Sequence, residues 1–166
     1  ALTWREKLRS SLIDRTIYLD TMLLSAETMG AFVKRYRQYR AELIFGHAHS
    51  IYIFARFLRE RGISDIRPKG IVSTSMMLIA AERAVIEDVF QCKVTNRYGC
   101  EEVGLIACEC ERHDGLHLNI EHLFIEFLND DGLAAQLGEE GQIVVTDLFN
   151  QGMPFIRYRI EDVGVP

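Results

Sequence analysis

The sequence has 166 residues, of which 48% are hydrophobic and 26% are charged, an ordinary composition for one globular domain that can bury a core. Its formal net charge of −5 argues against a protein that mainly neutralises a phosphate backbone, so we expect no nucleic-acid partner. It contains no run of about 18 apolar residues and no signal-peptide pattern, so we expect no membrane partner and predict a cytoplasmic location.

An amphipathic helix is the first element that the pattern predicts. Ser25 precedes it as a helix cap, and the apolar stripe runs through Met29, Val33, Tyr36 and Leu43. The stretch KRYRQYR on this helix interleaves arginines with aromatic residues, as a nucleic-acid patch would. Helical spacing sends the aromatic residues toward the core, however, so we favour a solvated basic face.

Two strand–helix units follow. LIFG predicts a short buried strand, and HSIYIFARFLRERG predicts a helix that ends at Gly62. The order recurs with GIVS as a strand, a helix after the TS turn, and CKVTNRY as the next strand. Because alternation of this kind builds a parallel sheet, we predict a parallel-sheet α/β subdomain over residues 1–104.

The last third of the chain is predicted to be β-rich. Its strand patterns are LHLNI, HLFIEFL, GQIVVTDL and MPFIRYRI, separated by turn clusters such as NDDG and GEEG. We therefore predict a β-rich, barrel-like subdomain over residues 105–166.

A turn with two adjacent carboxylates follows the strand CKVTNRY. Ligands of open parallel sheets bind beyond the carboxyl ends of strands, which is where Glu101 and Glu102 would lie. Carboxylates together with substrate phosphates are the usual ligands of Mg²⁺, and Tyr98 offers a flat face to a base. A pair of glutamates in a loop is also typical of solvated surface, so the residues alone leave both interpretations open. Asp162, after MPFIRYRI, could accept both hydroxyls of a ribose.

Several motifs in order carry a resemblance to a known family. TNRYGCEE, GQIVVTDL and MPFIRYRIEDVG, together with IVSTS and ACEC…GLHLN, resemble the adenylate-forming superfamily of acyl-CoA synthetases, specifically phenylacetate-CoA ligases and their capsular-biosynthesis relatives. The resemblance covers roughly residues 41–166. It implies part of a larger adenylate-forming N-terminal domain, with ATP or AMP, Mg²⁺ and coenzyme A as cofactors. The implied substrate is a small aryl or acyl carboxylic acid.

The resemblance also assigns roles to individual residues. Tyr98 in the Tyr98–Gly99 turn matches the tyrosine that packs on adenine, and Asp162 matches the aspartate that binds the ribose hydroxyls. Glu102 matches the catalytic glutamate that holds Mg²⁺. The residues implied to line the nucleotide and acyl pockets are Ser73, Thr74, Ser75 and Asn96.

Two positions depart from the family pattern. Glu101 stands where the family usually has Ser or Thr, so a second negative charge replaces a hydroxyl near the expected triphosphate. The usual Thr-Gly-Asp ending is Ile160-Glu161-Asp162 here, which keeps the aspartate and changes the turn leading into it.

The sequence contains no Ser/Thr/Gly-rich phosphate loop ending in Lys and no lid with a catalytic lysine, and it opens at Ala1. We therefore expect an internal piece of an ATP-dependent carboxylate-CoA ligase that forms an acyl-adenylate and then a thioester, with the piece alone inactive. Two alternatives remain open: a non-catalytic nucleotide-binding module of the same fold, and a capsular-biosynthesis adenylating enzyme with a different acceptor. Because a piece of a larger sheet exposes strand edges, we also expect a homo-oligomer.

Four residues of zinc-ligand type lie close together in the stretch CECERHDGLH. They are Cys108, Cys110, His113 and His117, and their spacing is unconventional for zinc. Cys-x-Cys on a regular strand aims both sulfurs to one face but about 7 Å apart. A structural zinc site, reduced buried thiols and a redox role are all left open.

Overall fold

The computed structural model describes Trp4, Arg9 and residues 16–166. The chain divides into two compact units, Ala1–Asn96 and Arg97–Pro166, here called the first and second units. A native domain division after residue 104 stays a prediction. No helix in the described part of the chain has the length and apolar character needed to cross a membrane.

Helices and strands alternate in the described part of the first unit, as the sequence predicts. The helices are α1 (Ala26–Tyr39), α2 (Ala48–Glu60) and α3 (Ala80–Phe90), and the strands are β1 (Leu43–His47), β2 (Gly70–Thr74) and β3 (Val94–Cys100). The strand β3 begins in the first unit and ends in the second. The three strands run parallel, with Phe45 opposite Val72 and Val72 opposite Thr95.

The helix α1 begins at a capping box. The hydroxyl of Ser25 accepts the backbone N–H of Thr28 at 3.2 Å, and the Thr28 hydroxyl accepts the N–H of Ser25 at 2.9 Å. Its predicted apolar stripe is buried at Met29, Val33 and Tyr36. Placing Leu43 on this stripe was wrong, because Arg40 ends the helix with a left-handed φ of 50° and Leu43 begins β1.

One hydrophobic core joins the three helices to the parallel strands. Its members include Phe54, Leu58, Ile71, Ile86, Phe90 and Val94, all nearly or fully buried. Burying an aliphatic or aromatic side chain of this size stabilises the fold by about 1.5–3 kcal/mol. The core therefore fixes β2 and β3, whose carboxyl ends carry the predicted polar residues.

The second unit is built from antiparallel strands. After the end of β3 come β4 (Gly104–Cys108), β5 (His117–Leu118), β6 (Leu123–Leu128), β7 (Gly141–Asp147) and β8 (Tyr158–Gly164). The strand β4 pairs with the end of β3 and with β5, while β6, β7 and β8 form a separate three-stranded sheet. A core of Val103, Ile106, Leu123, Ile143 and Val145 fills this unit. The mixed α/β fold class predicted from the sequence is confirmed.

Candidate functional site

Polar residues gather at the carboxyl end of β2 in the first unit. Ser73 lies opposite Asn96 in the parallel ladder, is fully buried, and donates its hydroxyl to Oδ1 of Asn96 at 3.4 Å. Thr74 ends the strand, and Ser75 follows it with a left-handed φ of 63° that turns the chain away from the sheet. The structure thus brings together Ser73 and Asn96. Because Ser73 is buried, its hydroxyl can influence a ligand only through Asn96.

Two side chains of α3 hold the start of β3. Nη1 of Arg83 donates to the carbonyl of Val94 at 2.6 Å, and Oε1 of Glu87 accepts the N–H of Val94 at 3.2 Å. Burial of Glu87 works toward a higher pKa, but Lys93 at 2.7 Å and the Val94 N–H outweigh it and lower the pKa of this carboxyl. The strand that carries Asn96 and Tyr98 is therefore fixed at its first residue.

Tyr98 and Gly99 lie in β3, just before the turn to β4, and not in a turn as the sequence predicts. Position 99 requires glycine. A Cβ atom on Gly99 would lie 2.1 Å from the carbonyl oxygen of Gly104, closer than any real contact. The ladder shifts register between Tyr98 and Gly99, and Gly104 has a left-handed φ of 72°. This bulged turn carries Glu102 between the two strands.

Asp162 lies on a bulge of β8 rather than in a turn after it. Arg159 pairs with Val144 and Val163 pairs with Gln142, so the three residues 160–162 face a single residue of β7. Within the bulge, Glu161 has a left-handed φ of 64°, the conformation that glycine adopts most easily. Glu161 stands where the family that the sequence resembles usually has glycine, and its backbone is glycine-like.

Two tyrosine–carboxylate hydrogen bonds cross between the β3–β4 segment and β8. The phenol of Tyr98 donates to Oδ2 of Asp162 at 2.7 Å, and the phenol of Tyr158 donates to Oε1 of Glu102 at 2.9 Å. Each segment contributes one donor and one carboxylate. The predicted site residues Tyr98, Glu102 and Asp162 are thus brought together in the second unit.

The electrostatics of the two pairs favour neutral tyrosines. Burial, the hydrogen bond to Asp162 and the charge of Asp162 raise the pKa of Tyr98 far above its ordinary value. The pKa of Glu102 is lowered by its own backbone N–H, by the phenol of Tyr158 and by the thiol of Cys100. Glu102 is therefore an ionised acceptor at neutral pH, and both phenols are donors.

The carboxylate of Glu102 is suited to serve as one ligand of a hard cation such as Mg²⁺. The residue is exposed and ionised, and a carboxylate has about four lone-pair positions, of which the Tyr158 phenol occupies one. Within the described residues, no three His, Cys, Asp or Glu side chains gather to hold a metal ion. A cation at Glu102 would therefore take its remaining oxygens from a ligand and from water.

The Cys/His stretch does not form the four-ligand zinc set among the described residues. Cys108 lies opposite His117 across β4 and β5, whereas Nδ1 of His113 lies 2.9 Å from Oε2 of Glu109, whose side chain is 7% exposed. Cys110 and Cys108 are free thiols. The geometry agrees better with reduced thiols than with a structural zinc site, and we propose no zinc here.

Two residues of the site escaped the sequence reasoning. Tyr158 had been noted only as part of a strand, and Cys100 had been given no role. Spacing gives no signal for either residue. Cys100 ends β3 whereas Glu102 lies in the turn after it, and the bulge of β8 lies between Tyr158 and Asp162.

Comparison with known proteins gives a clear result for the fold. No protein-family model and no curated protein matches the sequence. Solved structures do match, among them 2-hydroxyisobutyryl-CoA ligase in an open conformation with 2-HIB-AMP and CoA. It has a TM-score of 0.75 and 16% sequence identity over 86% of this chain and 35% of the ligase. This chain has the fold of the adenylate-forming CoA ligases.

Two further ligases support the same fold. The anthranilate-CoA ligase AuaEII in complex with anthranoyl-AMP matches with a TM-score of 0.60 and 15% identity over 75% of this chain and 25% of that one. The long-chain-fatty-acid-CoA ligase FadD1 of Archaeoglobus fulgidus matches with a TM-score of 0.62 and 12% sequence identity. The match covers 86% of this chain and 35% of that ligase. The chain therefore spans about a third of the length of such ligases. A specific relation to phenylacetate-CoA ligases stays a prediction.

Proposed function

We propose that this chain is the central part of an ATP-dependent carboxylate-CoA ligase, which forms an acyl-adenylate and then a thioester. The solved ligases of this fold include complexes with acyl-AMP and with CoA. The proposed partners are accordingly a small carboxylic acid, ATP and coenzyme A. We further propose phenylacetate-like aryl acids as the substrates, and this step rests on the sequence resemblance alone.

One observation carries the proposal. Tyr98 and Asp162 are 64 residues apart in sequence, and the family resemblance gives them the adenine and the ribose of one nucleotide. Their side chains are 2.7 Å apart in the second unit. Residues that contact adjacent parts of one ligand must lie close to each other. The short distance between Tyr98 and Asp162 therefore supports the proposal.

The remaining residues take supporting roles in this proposal. In the second unit, Gly99 permits the tight turn, and Asp162 accepts the ribose hydroxyls from its exposed position on the bulge. In the first unit, Thr74 and Ser75 offer hydroxyls, and Asn96 offers an amide, to nucleotide or acyl groups. The buried hydroxyl of Ser73 donates to the Asn96 amide oxygen and orients it.

Glu102 is the proposed ligand for Mg²⁺. Glu102 would hold the ion, which would supply positive charge against the phosphates; the substrate carboxylate would attack the α-phosphorus and pyrophosphate would leave. Glu102 itself remains ionised and offers oxygen lone pairs, because its backbone N–H and Tyr158 stabilise the charged form. In the second half-reaction a CoA thiol attacks the acyl carbonyl, its proton is released and AMP departs.

We expect the 166-residue chain to bind nucleotide without turning over substrate. The sequence has neither a Lys-ended phosphate loop nor a lid lysine, and such reactions depend mainly on positioning and charge stabilisation. The same observation favours a second candidate, a non-catalytic nucleotide-binding module of this fold. To test whether the chain turns over substrate, it is incubated with ATP, Mg²⁺, CoA and aryl or alkyl carboxylates, and the released pyrophosphate is measured. Pyrophosphate release would contradict the expected lack of turnover.

Nucleotide binding is the direct test of the proposed site. Calorimetric titration with Mg·ATP compares the unmodified chain with Asp162→Ala and with Asp130→Ala, an exposed aspartate in the β6–β7 connection that loses the same charge. We expect binding by the unmodified chain and by Asp130→Ala, and a large loss in Asp162→Ala. Equal binding by all three would remove Asp162 from the site, and no binding by any would contradict the function proposed for this chain.

Self-association is proposed as well. The strand β1 stands first in the described strand order, beside β2, and its side chains Leu43 and Phe45 are more than half exposed. Exposed apolar side chains on an outer strand favour association with another chain. Light scattering would contradict this expectation if it gave the mass of a monomer across the accessible concentration range.

A further inference from the structure

Tyr158 is held in place by packing of its ring. Its ring is half-buried, packs edge-on against Phe155 with centroids 4.9 Å apart, and lies against the core of the second unit. A tyrosine ring has two rotatable bonds, so packing of the ring determines where its hydroxyl lies. The phenolic oxygen is thereby held 2.9 Å from Oε1 of Glu102.

Glu102 has no comparable packing of its own. It is exposed in the turn between β3 and β4, and its flexible side chain could adopt many rotamers in water. Its donors besides its own backbone N–H are the Tyr158 phenol and the Cys100 thiol, and a phenol is much the stronger donor. The orientation of this carboxylate therefore depends chiefly on Tyr158.

We propose that Tyr158 is a positioning residue that holds the carboxylate of Glu102 for a divalent cation bound together with the nucleotide. The inference rests on the function proposed above, in which Glu102 is a metal ligand. Hydrogen bonds from such outer partners orient metal ligands, and their removal typically lowers metal affinity by about tenfold or more. Tyr158 does not itself coordinate the cation in this proposal, because its phenol donates to Oε1 of Glu102.

The position of Tyr158 on β8 also links the cation to the ribose. Tyr158 and Asp162 belong to one strand, and Asp162 is bonded to Tyr98 just before the turn that carries Glu102. Asp162 keeps its own partner, Tyr98, when the Tyr158 hydroxyl is removed. Loss of the Tyr158 hydroxyl should weaken binding that needs the metal and leave metal-free binding unchanged.

The test uses the 166-residue chain with Tyr158→Phe, which removes the hydroxyl and keeps the ring. Tyr39→Phe, at an exposed tyrosine of α1, is the matched control. Calorimetry measures the affinity for Mg·ATP and, separately, for AMP without metal. We expect Tyr158→Phe to weaken Mg·ATP binding about tenfold and leave AMP binding unchanged, with Tyr39→Phe altering neither.

Glu102→Gln and the double variant distinguish positioning from a general loss of structure. If Tyr158 acts through Glu102, adding Tyr158→Phe to Glu102→Gln should produce no further loss of Mg·ATP affinity. The carboxyl-carbon NMR shift of Glu102 at neutral pH supplies an independent readout and should differ between the unmodified chain and Tyr158→Phe, because the phenol is hydrogen-bonded to this carboxylate at 2.9 Å.

Each contrary result has a distinct meaning. Unchanged Mg·ATP binding in Tyr158→Phe, or an equal loss for AMP, would overturn the positioning role while leaving the proposed function intact. An unchanged carboxyl-carbon shift of Glu102 would show that the hydrogen bond does not hold in solution and would overturn the positioning role too. If Glu102→Gln bound Mg·ATP normally, or the unmodified chain bound none, the metal site itself would be rejected and the inference with it.

Discussion

The phenolic oxygen of Tyr98 lies 2.7 Å from Oδ2 of Asp162, and this hydrogen bond joins β3 to the bulge of β8. Ionising this phenol would remove the only proton in the hydrogen bond and place a second negative charge beside the carboxylate. Burial of the ring acts in the same direction and is the largest influence on its pKa. Tyr98 therefore stays neutral well above the pH at which a free tyrosine ionises.

Asp162→Asn should lower the pKa of Tyr98 without restoring it to 10.0, because burial remains when the charge is removed. Ring-carbon NMR titration of Tyr98 in the unmodified chain and in Asp162→Asn measures this. A raised pKa in the folded state means that the associated stability is present below pH 10.0 and is lost as pH rises above it. A Tyr98 midpoint equal in both proteins would contradict the pairing.

The acid side of the stability profile should depend on Asp147. Its carboxylate accepts the backbone N–H groups of Phe149 at 2.9 Å and Asn150 at 3.0 Å, and His122 lies 3.6 Å away, so the pKa of Asp147 is lowered. A lowered pKa gives stability that is present above pH 3.8, the unperturbed value, and lost as pH falls through the folded-state value.

Asp147→Asn should therefore be less stable than the unmodified chain at neutral pH, and the difference should shrink on acidification. Urea unfolding at a series of pH values measures both quantities. Asp130→Asn makes the same change at an exposed position and should follow the unmodified chain throughout. A constant difference between Asp147→Asn and the unmodified chain at every pH would show that the charge is not responsible.

The helices and most strands could be predicted because their signals are local. Apolar spacing and the Ser25 cap identify α1, and alternation of strand and helix predicts the parallel pairing of β1, β2 and β3. The beginning of β8 could not be predicted in this way. The pattern MPFIRYRI extends the strand back to Met153, whereas β8 begins at Tyr158 because Arg157 has a left-handed φ of 49°.

The site illustrates the same limit. Tyr98, Glu102 and Asp162 were identified from motifs, each of which lies within a short stretch of sequence. The bond from Tyr158 to Glu102 spans 56 residues and depends on how the bulge of β8 is oriented, for which the local sequence holds no signal. The sequence also favoured a turn before Asp162, since it could not show that three residues would face one residue of β7.

Gly99→Ala should destabilise the second unit. The added Cβ would lie 2.1 Å from the carbonyl oxygen of Gly104, which is backbone and cannot rotate away, so we expect a loss of about 1–3 kcal/mol. Gly30→Ala is the matched control, because its Cβ would meet no atom within 4 Å and α1 should gain about 0.5–1 kcal/mol. Urea unfolding of both variants measures these changes in the free energy of unfolding. A Gly99→Ala protein as stable as the unmodified chain would disprove the close approach of position 99 to the Gly104 carbonyl.

Glu161→Gly should stabilise the protein slightly. Glu161 has a φ of 64°, and a left-handed conformation costs a residue with a Cβ about 1–2 kcal/mol, partly offset by the greater freedom of glycine in the unfolded chain. We expect a net gain of up to about 1 kcal/mol in the free energy of unfolding. Glu121→Gly, at an exposed residue without positive φ, should instead be neutral or destabilising. Destabilisation by both changes to the same extent would mean that the bulge imposes no strain on Glu161.

Glu101→Thr should strengthen binding of Mg·ATP. Glu101 adds a negative charge next to the proposed metal ligand Glu102, and a triphosphate approaching this exposed turn is repelled by any charge that the cation does not neutralise. Exposed charges a few ångströms apart interact by about 0.5–1 kcal/mol in water, so the affinity should rise roughly two- to fivefold.

Calorimetry of Glu101→Thr at low and high salt separates the charge from the new hydroxyl. A gain due to charge should shrink at high ionic strength, because exposed charges are screened, whereas a gain due to a hydroxyl–phosphate hydrogen bond should persist. Glu101→Gln removes the charge without supplying a hydroxyl, and Glu111→Thr makes the original change at another exposed glutamate of the second unit. If Glu101→Thr bound Mg·ATP less tightly than the unmodified chain, Glu101 would have to be a ligand of the cation, since only a direct contact would make its negative charge favourable beside the triphosphate.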